Sequence, residues 1–94
     1  MEHLSVTEKK RLKAKAHHLK PVIQIGNKGM TESLLKAIGD ALLSHELIKI
    51  KFLEYKEEKR EIAQEIAEKS DSEIIGLIGN VLILYRENPE KEKV

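Results

Sequence analysis

The sequence predicts an α/β domain: a four-stranded mixed sheet with three helices, in the order α-β-α-β-α-β-β. Three observations carry that expectation. Segments with apolar residues at three- and four-residue steps alternate with short β-branched runs, as helices and strands do when they share a sheet. Pro21 and Gly26 bracket the first of those runs. Near the end, two apolar runs are separated only by Gly79-Asn80, the signature of a tight hairpin of the primed-turn kind.

The first helix opens with a capping box, Ser5 followed three residues later by Glu8, and is expected to run to Pro21. Leu12, Ala16 and Leu19 form its apolar stripe, flanked by Lys9, Lys13, His17 and Lys20 on one side and Arg11, Lys15 and His18 on the other. "VIQI" (Val22 to Ile25) reads as a short strand buried on both faces. After "GNKG", Thr31 caps an amphipathic helix carrying Leu34, Leu35, Ile38, Ala41 and Leu42 and ending near His45. Gly39 inside it suggests a close backbone approach, since it costs about 1 kcal/mol relative to Ala.

"LIKIKFLEY" alternates: Ile48, Ile50 and Phe52 face a core while Lys49 and Lys51 face out. A helix over 56–69 follows, with Ile62, Ala63, Ile66 and Ala67 inward and a Glu-dominated outer face. Strand, helix, strand twice in succession implies parallel neighbours, with the final hairpin adding one antiparallel strand. Residues 1–86 therefore form one domain, and 87–94, "ENPEKEKV", a charged tail expected to be flexible.

Composition narrows the function. Absence of Cys excludes disulfides, thiolate zinc sites and cysteine catalysis, and with no long apolar run the expected setting is the cytoplasm, with no membrane partner. The net charge of +1 hides an asymmetry: residues 1–36 hold eight Lys/Arg against three acids, the remainder nine against thirteen. One end can meet a polyanion while the other repels it. His3, His17, His18 and His45 include no i, i+4 pair for zinc, no serine sits in a nucleophile elbow, and no two acids stand out as an acid-base pair. Neither an enzyme, a metal, a cofactor nor a small-molecule substrate is expected.

"GNKG" answers two needs at once. Positive φ at Gly26 and Gly29, tolerance of it at Asn27 and the Thr31 cap would suffice for a strand-to-helix turn. Bare backbone amides, the following helix end and Lys28 would also suit a phosphate, as in the glycine loop of KH modules, although it lacks the lysine-hydroxyl pair of a P-loop. With only Phe52, Tyr55 and Tyr85 as aromatics, and Phe52 and Tyr85 expected in the core, contact with the backbone and shape of structured RNA is favoured over base reading.

"LKPVIQIGNKGMTESLLKAI", "HELIKIK" and "IIGLIGNVLILYR", in that order and at those separations, resemble the CRM domain, the module named for chloroplast RNA splicing and ribosome maturation, in its stand-alone YhbY-like form. The resemblance covers about Leu4 to Arg86. It implies a fold like the C-terminal domain of translation initiation factor three, and association with large-subunit ribosomal precursors. Met30 stands where Leu is commoner, and "EKSDSE" lacks the glycine often found after the third helix. The resemblance implies RNA contact through Gly26, Asn27, Lys28 and Gly29, with the basic first helix beside them. The residues expected to carry it are these four with Lys9, Lys10, Lys13, Lys20, Lys49 and Lys51. Alternatives are an Alba-like DNA-coating protein and an adaptor whose acidic third helix meets a ribosomal protein.

Overall fold

Ser5 begins the fold as the sequence leads one to expect. In the computed structural model, which describes residues 4–88, its hydroxyl accepts from the Glu8 amide and its own amide donates to the Glu8 carboxylate, both at 3.1 Å. The Ser5 backbone amide, then its hydroxyl, hold the Glu8 carboxyl below the ordinary carboxylate range. The elements that follow are α1 (Val6–Ala16), β1 (Ile23–Ile25), α2 (Glu32–His45), β2 (Leu47–Phe52), α3 (Lys59–Lys69), β3 (Glu73–Ile78) and β4 (Val81–Tyr85). His3 and the expected tail beyond Asn88 lie outside the described residues.

The sheet order is β1-β2-β4-β3. β1 pairs parallel to β2, as expected, but β4 inserts between β2 and β3, antiparallel to both. β3 thus runs in the direction of β2 without touching it as a neighbour. Burial explains the insertion: Leu82, Ile83 and Leu84 in "VLILY" are all buried, so this strand needs cover on both faces and a partner on both sides. The edges go to strands that tolerate exposure. β1 is three residues long with Gln24 exposed, and β3 carries a register shift at Ile74/Gly76. The expectation that "VIQI" is buried on both faces is therefore corrected: Ile25 is buried, while Val22 lies outside the strand and is exposed.

Two cores flank the sheet. Ile38 and Leu42 of α2 with Ala63 and Ile66 of α3 cover Ile25, Ile48, Ile50, Phe52, Leu82 and Leu84 on one face. Leu12 and Ala16 of α1 cover Leu47, Ile75 and Ile83 on the other, with Tyr85 packed against them. α1 stops at Ala16, short of Pro21, so Leu19 and Lys20 belong to a linker and not to the helix stripe. That linker is held by Lys49, whose ammonium donates to the Leu19 carbonyl at 3.1 Å.

Local details divide in the same way. Gly79 alone takes positive φ, +59°, in the β3–β4 turn, which is the II′ kind. Gly39 makes no close approach, since a Cβ there would meet nothing within 4 Å; its carbonyl instead accepts from Arg86 Nη2 at 3.2 Å. The missing glycine after α3 is replaced by Asp71 at φ +53°. Asp71 and Ser72 donate their amides to Glu68 and Ala67, closing a Schellman motif. Arg86 also donates to the Ser70 carbonyl at 2.6 Å, and Asn88 donates to the Glu46 carboxylate at 2.7 Å and to the Leu43 carbonyl at 3.0 Å.

Ile50 is wholly buried and sits opposite Ile23 on one side and Leu82 on the other. Ile50→Ala is expected to cost about 2–5 kcal/mol in urea unfolding with an unchanged m-value, whereas Val22→Ala should stay within about 0.5 kcal/mol.

Candidate functional site

The parallel pairing of β1 and β2 brings two loops together at the carboxyl ends of these strands, the position where open α/β sheets bind ligands. "GNKG" leaves β1, and residues 53–58 leave β2. They are tied at the root: the Ile25 carbonyl accepts from the amides of both Leu53 (3.0 Å) and Glu54 (3.2 Å).

Within "GNKG", the Gly29 amide donates to the Gly26 carbonyl at 3.1 Å and closes a four-residue turn. Only Gly29 takes positive φ, +64°; the expectation of a second at Gly26 is corrected, because the single left-handed step at the end of the turn is enough to redirect the chain. Asn27 and Lys28 at its tip are exposed, and their amides have no partner among the described residues. Thr31 Oγ1 accepts from the Leu34 amide at 3.0 Å and caps α2. Glu32 in the first turn offsets the positive helix end, so Lys28 and the two tip amides carry the positive character of this loop.

Tyr55 braces the turn from the neighbouring loop. Its hydroxyl donates to the Asn27 carbonyl at 2.7 Å, and its ring lies where a Cβ on Gly29 would approach Cε2 and Cζ to 3.2 Å. In the sequence Tyr55 closes the run "LIKIKFLEY" and has no expected role. No local pattern marks it, because the contact spans 28 residues of chain.

Sheet register decides which lysines join the loop. Gln24, Lys51 and Val81 form one row across the sheet, Lys49, Ile83 and Gly76 the next. These rows share the face on which α1 packs, and α1 covers Ile83 but leaves Lys51 exposed. The Lys13 side chain reaches over Gly76, its Cε 3.0 Å from where a Cβ would stand. Gln24 lines the same shallow concavity of ≈ 340 Å³ as Gly26 to Gly29. Lys13, Lys49, Lys51 and Gln24 thereby lead across one face to the turn.

The other basic candidates are placed differently. Lys9 pairs with the nearly buried Glu73 at 3.5 Å. Lys10 stands two residues from buried Leu12, about 200° around the helix, and faces away from the sheet. Lys20 lies beyond the helix, at the opposite end of β1 from the turn, where it lines a separate cleft with Leu12, Leu19, Val22 and Tyr85. Among the described residues no three His, Cys, Asp or Glu are grouped to hold a metal ion, and no helix is long and apolar enough to cross a membrane.

The two glycines of the turn are not equivalent. Gly29→Ala places a Cβ at φ +64° against the Tyr55 ring and is expected to lower stability by about 1–2 kcal/mol in thermal unfolding. Gly26→Ala, with open space around it, should be neutral or stabilise by up to about 1 kcal/mol.

Comparison with known proteins agrees with this architecture. The "Probable RNA-binding protein YqeI" of Bacillus subtilis is 36% identical over 92 residues, spanning 97% of this chain and 96% of the relative. An "RNA-binding protein" of Haemophilus influenzae is 41% identical over 91 residues, spanning 96% and 92%. The solution structure of a Staphylococcus aureus protein described as "a putative RNA binding protein" superposes with a TM-score of 0.82 at 34% identity, covering 98% of this chain and 97% of the other. The model of the CRS1 / YhbY (CRM) domain matches residues 4–86, which is nearly all that the fold comprises, and the chain belongs to that family.

Proposed function

We propose that this protein binds structured RNA through the "GNKG" turn and the adjoining lysine face, and that its target is ribosomal RNA of a large-subunit precursor. The observation that carries the reading is that Lys13, Lys49 and Lys51 lie on the one sheet face that leads to Lys28 and the two unpartnered tip amides. Each supplies what a phosphodiester backbone requires: a fixed donor, or a cation within reach of it. Relatives across nearly the whole length are named as RNA-binding proteins, and the resemblance to YhbY-like chains supports the ribosomal target.

Contact with the backbone rather than with base edges suits this surface, since it is built from lysines and main chain. Gly26, Asn27, Lys28 and Gly29 form the clamp, with Lys51 beside it and Lys13 and Lys49 further across the same face. Lys9, Lys10 and Lys20 contribute to the field of the basic half rather than to the clamp, given where each is placed. Protein partners on the ribosome would meet α3, whose Glu61, Glu65 and Glu68 are interleaved with Lys59, Arg60 and Lys69.

Lys28→Glu is expected to weaken binding to precursor ribosomal RNA at least tenfold in a titration while circular dichroism stays unchanged; binding equal to the wild type removes the loop from the interface. If about five to seven phosphates are neutralised, log affinity falls against log salt with a slope of roughly −4 to −6. Duplex DNA competing as well as the RNA at one salt concentration would favour a DNA-coating role instead.

A further inference from the structure

Phosphate contacts leave the bases of a bound strand without a partner, and one side chain beside the turn is suited to that task. Of the three aromatic residues in the sequence, Phe52 is wholly buried and Tyr85 packs against the α1 core. Tyr55 remains 39% exposed.

Its backbone is unusual, and its carbonyl accepts from the Glu58 amide at 3.1 Å in the loop that enters α3. Tyr55 takes φ +58°, a conformation that is rare for a bulky side chain. Glu46 and Asp71 also have positive φ, but each follows the last turn of a helix, where that geometry lets its amide donate back into the helix. Tyr55 ends no helix. The left-handed step delivers its ring to the turn, where the hydroxyl is fixed on the Asn27 carbonyl and Cε2 and Cζ lie beside Gly29.

Charge around the ring sorts the two parts of a nucleotide. Lys28 stands at the turn, while the concavity that Tyr55 shares with Asn27 is lined by three acids, Glu54, Glu57 and Glu58, against one base, Lys56, together with Leu53, itself 42% exposed. With acids outnumbering the single base there, a phosphate is favoured at Lys28 and the tip amides instead. An uncharged base is not repelled, and finds there an immobilised aromatic ring with an apolar neighbour.

We infer that Tyr55 is an RNA-binding residue whose ring stacks an unpaired base of a nucleotide held by its phosphate at the Asn27–Lys28 tip. This rests on the RNA-binding reading of the turn and adds to it a preference for unpaired nucleotides. Stacking of this kind tolerates any base, because every base has a π-face.

The test uses two probes at low ionic strength: a hairpin RNA with an unpaired adenosine loop, and the same hairpin with the loop adenines removed. Wild-type protein is expected to bind the first roughly fivefold or more tightly, in line with what one stacked base contributes. Tyr55→Phe keeps the ring and should keep the preference, even if loss of the Asn27 bond weakens binding to both probes; Tyr55→Leu should abolish it. Equal wild-type affinity for both hairpins, with Lys28→Glu weakening both, overturns the stacking role and leaves the loop contact standing. Failure of the wild type to bind either hairpin overturns the RNA reading and the role of Tyr55 with it. The wild-type comparison needs no variant, so it decides the matter even if Tyr55→Leu does not fold.

Discussion

The two-residue period of β2 is the constraint on which the remaining arrangement depends. Ile48, Ile50 and Phe52 on one side of the strand and Leu47, Lys49 and Lys51 on the other cannot exchange faces without burying two ammonium groups. That choice directs α2 and α3 to the Ile48–Phe52 face. It leaves α1 to cover Leu47 at one end of the opposite face, where it also finds Ile75 and Ile83. The uncovered remainder of that face is where Lys51 stands exposed. A strand selected for a core on one side thus provides a charged surface on the other, and β1, bonded to it in parallel, delivers the "GNKG" turn to the edge of the same surface.

Rigidity at this edge comes from bonds between loops rather than within them. The turn has one internal bond, from Gly29 to Gly26, and leaning on it are the Tyr55 hydroxyl and ring. The loop that carries Tyr55 is in turn anchored by two amides on the single Ile25 carbonyl. A donor surface held in this way loses little freedom when it meets a phosphate, which is the condition for main-chain amides to be useful in binding. Not every lysine shares in this. Lys9 is paired with Glu73 and Lys49 supports the Leu19 carbonyl, so part of the positive charge of the chain serves the fold.

Much of the fold was legible in the sequence wherever the deciding interaction is local. The Ser5–Glu8 box, the Thr31 cap, the alternation of β2 and the Gly79-Asn80 turn each involve residues within a few positions of one another, and each has the expected form. Expectations failed where a distant partner decides. α1 ends at Ala16 rather than running to Pro21, and "VIQI" is an edge strand rather than a buried one; the expected positive φ at Gly26 failed for a local reason, since Gly29 alone turns the chain. At the site, the turn and the lysines were readable as chemistry. Tyr55 was not, because nothing around it announces a bond to Asn27.

By itself, then, the sequence determined the kinds of element, their caps, the hydrophobic faces and the presence of a basic half with a glycine turn. Those depend on backbone preferences and on periodicity, which act over a few residues. Only the tertiary structure decided that β4 lies between β2 and β3, that Lys13, Lys49 and Lys51 share a face with the turn while Lys10 and Lys20 do not, and that Tyr55 braces Asn27. The physical reason is burial. A strand whose two faces are both apolar must occupy the middle of the sheet, and once it does, register places every other side chain.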